Sequence, residues 1–183
     1  MGPRPLLLCL GLLLAAAVLA GEVRDTEVHY HDGVYTLDMD MVLDAGFDRV
    51  RAIITDYDHM ARLSGLLTAS SLVDRPGGGL RRRLETRICI LFFCYEPVVV
   101  ENVEEIGRDR IVTTVIPAQS DFRSGGSVWW LSVPAPGRTR IRFEYRMEPD
   151  FWIPPLIGPP LIKAVLGSEA KKTINKIEKL ARG

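Results

Sequence analysis

Residues of the kinds that announce chemistry are few in this chain, and they are poorly spaced for it. It has three histidines and three cysteines among 183 residues. His29 and His31 share one face of an extended segment beside Asp32, but no third or fourth ligand follows at a recognisable spacing, so no metal site is expected. There is no Gly-x-Ser-x-Gly elbow, and Ser120-Asp121 has no histidine partner, which leaves serine nucleophile chemistry without a base. Gly77-Gly78-Gly79 lacks the lysine and hydroxyl residue of a phosphate loop and reads as a hairpin turn. No catalytic residue and no cofactor is assigned.

Net charge is also missing. Lysine plus arginine and aspartate plus glutamate both number 23, so no general field attracts nucleic acid. Arg81-Arg82-Arg83 does not change this. Alternation sends Arg82 to the opposite strand face, and no interleaved aromatic platform accompanies the run. Arg82 therefore falls on a mainly apolar face, where it either meets a ligand head group or is partly exposed near the strand end. Lysine is absent before Lys163; Lys163, Lys171, Lys172, Lys176 and Lys179 crowd the last stretch of chain as a solvated helix face.

Long hydrophobic runs are scarce as well. Leu6–Leu19 is about fourteen residues, short of the ~20 that span a bilayer. With Arg4 before it and Val18-Leu19-Ala20 at its end, residues 1–20 are predicted to be a cleaved signal peptide, with 21–183 a single domain, periplasmic or secreted. Cys9 lies inside the run rather than at its end, which argues against a lipid-modified terminus. Cys89 and Cys94 then remain, a disulfide candidate in an oxidising compartment. On one straight strand they would lie ~17 Å apart, beyond the ~4.4–6.8 Å between Cα atoms that a bond tolerates. A bond needs the chain to turn at Ile90-Leu91-Phe92-Phe93; the alternative is two buried free thiols.

What the chain does have is clear period-2 patterning. Tyr35, Leu37, Met39, Met41 and Leu43 alternate with Thr36, Asp38, Asp40 and Val42 as a strand with one buried face. Phe47, Val50, Ile53 and Ile54 mark a short helix, and Met60, Leu63 and Leu67 suit a second one capped by Asp58. Strands then run to Asp150. The clearest sets Ile141, Phe143, Tyr145 and Met147 against Arg140, Arg142, Glu144 and Arg146. From Leu161 to Ala181 the apolar residues return to helical spacing. The predicted order is a strand, two short helices, a six-stranded antiparallel meander and a long C-terminal helix, an α+β domain whose sheet the helix covers.

In a meander, alternate connections gather at opposite ends. The turns at 75–79, 107–109 and 134–138 are polar and rich in glycine and proline, whereas the connections at 90–93 and 151–160 are apolar. Leu91, Phe92, Phe93, Trp152, Ile153, Leu156 and Ile157 should therefore share one end, as a portal or docking surface.

Three stretches make the chain resemble the START-like (helix-grip, SRPBCC) superfamily, in its polyketide cyclase and coenzyme Q-binding branch. They are Val50-Arg51-Ala52-Ile53-Ile54-Thr55-Asp56-Tyr57-Asp58, then Trp129-Trp130-Leu131-Ser132-Val133-Pro134, and Phe151-Trp152-Ile153-Pro154-Pro155 with the helix after it. The resemblance implies a cavity for a hydrophobic molecule lined by Leu37, Met39, Met41, Trp129, Leu131, Phe143, Tyr145, Met147, Leu161 and Val165. A secretory leader and the Cys89/Cys94 pair depart from common intracellular members. The function expected is an exported, monomeric, non-enzymatic carrier of a lipid or other hydrophobic small molecule, with transient membrane contact. The alternatives are a protein-interaction module using the apolar end, and a cyclase or dehydratase-like enzyme in which Tyr145 is the ionisable group on the inner face.

Overall fold

The structure, a computed structural model, describes residues 22–74, 77–90 and 93–183, with side chains described throughout these except at 22–24, 90 and 93. The expected signal peptide, Leu91, Phe92 and the Phe93 side chain lie outside the described residues.

Among the described residues, ten strands and two α-helices form an α+β domain, and eight of the strands make one antiparallel sheet in the order β1-β2-β10-β9-β8-β7-β4-β3. Strands β1 (Glu22–His31) and β2 (Val34–Leu43) meet at Asp32-Gly33, where both residues take positive φ, 48° and 85°. That two-residue turn matches the twist of the strands it joins. Sequence periodicity does not announce β1, because it is an edge strand with mostly exposed side chains. After α1 (Phe47–Ile54) come β3 (Leu67–Leu72), β4 (Leu80–Thr86), β7 (Val98–Ile106), β8 (Arg110–Val115), β9 (Phe122–Ser132) and β10 (Thr139–Pro149), the six-stranded meander. Strands β5 (Ile88–Ile90) and β6 (Phe93–Tyr95) form a separate hairpin between β4 and β7. Helix α2 spans Gly158–Arg182 and packs on β1, β2 and α1.

One expectation fails here. The second helix is only a 3-10 turn, Tyr57–Arg62, and Leu67 opens β3 instead of closing a helix. Ser64-Gly65 breaks the helical run, since glycine gains little from helical geometry. Asp58 does not cap that turn; its carboxylate accepts the backbone N–H of Leu72 at 2.7 Å and so ties down the edge strand.

At Gly125-Gly126 strand β9 comes close to both of its neighbours, β8 and β10. A Cβ on Gly126 would lie 2.1 Å from the Thr113 carbonyl oxygen, so only glycine allows β8 and β9 to approach this closely. The concave face buries two apolar clusters. One joins Leu37, Met39 and Met41 to Val50, Ile174 and Ile177; the other joins Tyr35, Val99, Phe122 and Met147 to Ile162.

Candidate functional site: a cavity under the C-terminal helix

Between the sheet and α2 lies a cavity of about 220 Å³, lined by residues drawn from both apolar clusters. Strand alternation supplies its walls: Leu37, Met39 and Met41 from β2, Trp129 from β9, and Phe143, Tyr145 and Met147 from β10 all border it. Trp129, Phe143 and Tyr145 face inward and yet remain only half-buried, because they border empty space. Their rings form a continuous aromatic wall, with centroids 4.3 Å apart for Trp129–Phe143 and 6.2 Å for Phe143–Tyr145. The other expected lining residues are placed elsewhere. Leu131 is buried in the first cluster, and Leu161 packs beside the second. Val165 does not border the cavity, since α2 turns Leu166, Glu169, Ala170, Thr173 and Ile174 toward it.

The cavity also has polar groups that the apolar patterning conceals. Arg82 is 6% exposed and Glu101 is 1% exposed, which replaces the expected partial exposure of Arg82 with an internal ion pair. Arg82 Nε donates to Glu101 Oε2 at 2.8 Å, and its Nη2 lies 2.7 Å from the same oxygen. Thr113 donates its hydroxyl to Glu101 Oε1 at 3.0 Å. Because that proton is committed to a carboxylate, the Ser127 hydroxyl must donate to Thr113, 2.9 Å away. Trp129 Nε1 then donates to Ser127 Oγ at 3.2 Å. Four side chains thus converge their donors, directly or in relay, on one carboxylate. Burying a charge without such partners would be prohibitive. Glu101 stands in phase with Val99 and Val103, and Arg82 with Leu80 and Leu84. Two charges in phase with apolar neighbours on adjacent strands were the signal for the pair.

Tyr145 completes the polar wall. Among the described residues its hydroxyl has no hydrogen-bond partner, and burial pushes its pKa up, with the Glu101 charge adding to the shift. It therefore stays protonated at neutral pH, with a proton to donate and lone pairs that can accept. Among the described residues the one hydrogen-bond partner of Arg82 Nη1 is the Met60 sulfur, at 3.2 Å, a weak acceptor.

At one end of the cavity the β5–β6 hairpin meets the strap that leads into α2. Cys89 and Cys94 face each other across the hairpin and are disulfide-bonded. Tyr95 stacks on Phe151 at 5.1 Å, and Phe122 meets Phe151 edge-on at 5.8 Å. Ile153 tucks inward beneath the strap, while Trp152, Ile157 and Leu156 are 63%, 46% and 90% exposed. Among the described portal residues, three thus face solvent and one faces the core.

The histidines stand apart from the cavity. His29 lies beside Glu27 and His31 beside Asp32, both exposed, and His59 pairs with Asp56. A second depression, lined by Asp44, Phe47, Arg49 and Arg182, is an open cleft at the far end of α2 whose charges are largely paired with one another.

Solved structures share this architecture at low identity. A START superfamily protein from Mycobacterium smegmatis is 15% identical, with a TM-score of 0.62 over 80% of this chain and 97% of that one. The Zhui aromatase/cyclase from Streptomyces sp. R1128 is 11% identical, with a TM-score of 0.63 over 81% and 94%. A STAR-related lipid transfer protein fragment from Xanthomonas axonopodis is 14% identical, with a TM-score of 0.59 over 86% and 99%. Among curated proteins there is no match. The likenesses establish the fold, a START-like helix-grip architecture. Residues 35–182, nearly the whole of the described domain, match the family described as polyketide cyclase / dehydrase and lipid transport, and the chain belongs to that family.

Proposed function

We propose that this protein is an exported, non-enzymatic carrier that holds a hydrophobic small molecule or single lipid chain between the sheet and α2. The observation that carries this reading is the cavity: an apolar, aromatic-walled space with its charges already neutralised internally. Transfer of apolar surface into it is worth about 25 cal/mol per Å². At about 220 Å³ it is larger than the ~150 Å³ that accepts benzene and below the ~300–1,000 Å³ of drug-sized sites. A long-chain ligand would therefore extend beyond this space, for example by parting the Tyr95–Phe151 stack at the strap. The exposed disulfide supports export, since such bonds persist in oxidising compartments.

The apolar end serves in this reading as a docking tip for a bilayer. Leu156, Ile157 and Trp152 project there, and the exposed lysines of α2 begin one and a half turns later with Lys163. The two glutamates of α2 turn inward, so its outer face offers anionic headgroups lysines without competing carboxylates.

An enzymatic reading draws on one observation, the unpartnered Tyr145 hydroxyl facing the cavity. It is the weaker one. Both Glu101 oxygens already accept hydrogen bonds, the Glu169 carboxylate is held by Lys172, Gly65 and Ser64, and the Tyr145 hydroxyl is protonated, so among the described residues no free base faces the space. The test is titration with the neutral fluorophore N-phenyl-1-naphthylamine, alongside solvent extraction and mass spectrometry of the purified protein. Saturable 1:1 uptake that Met39→Trp weakens at least tenfold supports the carrier. Absence of uptake and of any extracted apolar compound overturns it, and chemical conversion of an extracted compound on incubation favours the enzyme.

A further inference from the structure

We infer that the cavity selects uncharged ligands carrying a hydrogen-bond acceptor, such as a ketone, ester or ether oxygen, over fatty acids and amines of equal length. The inference deepens the carrier reading and rests on it.

The charge account of the cavity wall decides the sign. Arg82 is the single cation among the described lining residues, and Glu101 holds it through two contacts to one carboxylate oxygen. The third lining charge is Glu169, whose carboxylate is held by Lys172, by Gly65 N–H and by the Ser64 hydroxyl. A fatty-acid carboxylate entering this space would meet a neutralised arginine and two carboxylates. It would lose its hydration without gaining a counter-ion, a cost that neutral groups escape. An amine fares little better, because both Glu101 oxygens are already occupied by Arg82 and Thr113.

The hydrogen-bond account then decides the kind of neutral group. The hydroxyls of Thr113 and Ser127 and the indole N–H of Trp129 are spent within the network. Thr86 donates to the Pro97 carbonyl. On the sheet side this leaves the Tyr145 hydroxyl and Arg82 Nη1, whose one partner among the described residues is a sulfur. Arg82 Nη1 can only donate and the Tyr145 hydroxyl carries a proton to donate, so a ligand acceptor atom is the one group that both can serve. Thr173 on α2 also borders the cavity, and its hydroxyl can play either part.

The experiment is displacement of N-phenyl-1-naphthylamine by 2-octanone, octanoate and octylamine at neutral pH. The eight-carbon skeleton matches the cavity at roughly 30 Å³ per water-sized group. The ketone is expected to compete at least tenfold better than either ion. Tyr145→Phe should weaken the ketone about three- to tenfold and leave the ions unchanged. Glu101→Gln keeps the hydrogen-bond acceptor but frees the arginine charge, and should reverse the order toward octanoate. If Glu101→Gln does not fold, the Tyr145→Phe comparison decides alone. Octanoate or octylamine binding as well as the ketone in the unaltered protein overturns the selectivity and leaves the carrier intact. Failure of all three compounds, with no fluorophore uptake, overturns the carrier itself.

Discussion

At its C-terminal end α2 is tied to β2 and to the turn before β10 by charges, whereas at its N-terminal end apolar packing holds it. Glu178 accepts the backbone N–H of Asp44 at 3.0 Å and pairs with Arg182 at 2.6 Å. The Asp44 carboxylate in turn accepts Arg138 Nε at 2.6 Å and lies 3.3 Å from Arg182. Ile177 and Ala181 are buried behind this clamp. The other end rests on Ile162, Leu166 and the Phe151–Tyr95 stack, with Pro154 and Pro155 before the helix and Pro159 and Pro160 in its first turn. There Gly158 donates to the Pro154 carbonyl at 2.7 Å and has no room for a Cβ against Ile153. Ion pairs fix distance and direction; apolar contacts permit sliding at little cost. The helix is therefore expected to hold at its charged end and, when a ligand enters, to give first at the strap.

The largest effect should come from the fixed end. Ile177 is fully buried, and Ile177→Ala is expected to cost about 2–5 kcal/mol in denaturant unfolding. Ile162→Ala, also buried, should cost less, because the strap can settle into the space left behind. Equal losses would erase the asymmetry. Next in size is Asp44→Ala. It strips Arg138 and Arg182 of a shared acceptor in a half-exposed setting, for about 1–2 kcal/mol. Amide exchange should quicken in the last two turns of α2 and stay unchanged at Leu161–Leu166. Faster exchange at the N-terminal end alone would place the hold at the wrong end.

How much of this was legible in the sequence follows from what periodicity records. Alternation along β2 and β10 places Leu37, Met39, Phe143 and Tyr145 on the inner face, because a strand has only two faces. Meander topology places the connection between β4 and β7 at the strap's end, and Tyr95 of that connection stacks on Phe151, while Leu91 and Phe92 lie outside the described residues. Patterning does not reveal whether the interior is filled, since cavity walls and packed cores share one composition. Nor does it pair Arg82 with Glu101, because that contact joins strands by register, which the intervening hairpin of β5 and β6 sets. The clamp at Asp44 was hidden for a related reason. Its partners lie 94 and 134 residues away, and an aspartate in a turn reads as solvated until the partners arrive.

The smallest expected effect concerns Glu169, midway along α2 between the fixed and sliding ends. Its carboxylate joins the helix to the Ser64–Gly65 loop, accepting Gly65 N–H at 2.9 Å and facing Lys172 at 2.7 Å. Burial alone would raise its pKa, but Lys172, Gly65 and Ser64 together overcome that and hold the group below the usual carboxylate range. A carboxyl depressed on folding stabilises the native state above its unfolded pKa of ~4.3, and the contribution is lost as pH falls through the lower folded value. Between pH 5 and 8 this tether should therefore be constant, and acid should loosen it. Glu169→Gln should reproduce the loosened state at neutral pH, costing below about 1 kcal/mol because Lys172 is largely exposed. The readout is the rate at which N-phenyl-1-naphthylamine leaves the cavity. Release should quicken in Glu169→Gln at pH 7 and, in the unaltered protein, only well below pH 5. A release rate that changes instead between pH 6 and 8, or that ignores the substitution, would show that α2 gives way without regard to its middle tether, and that the charged end alone holds it.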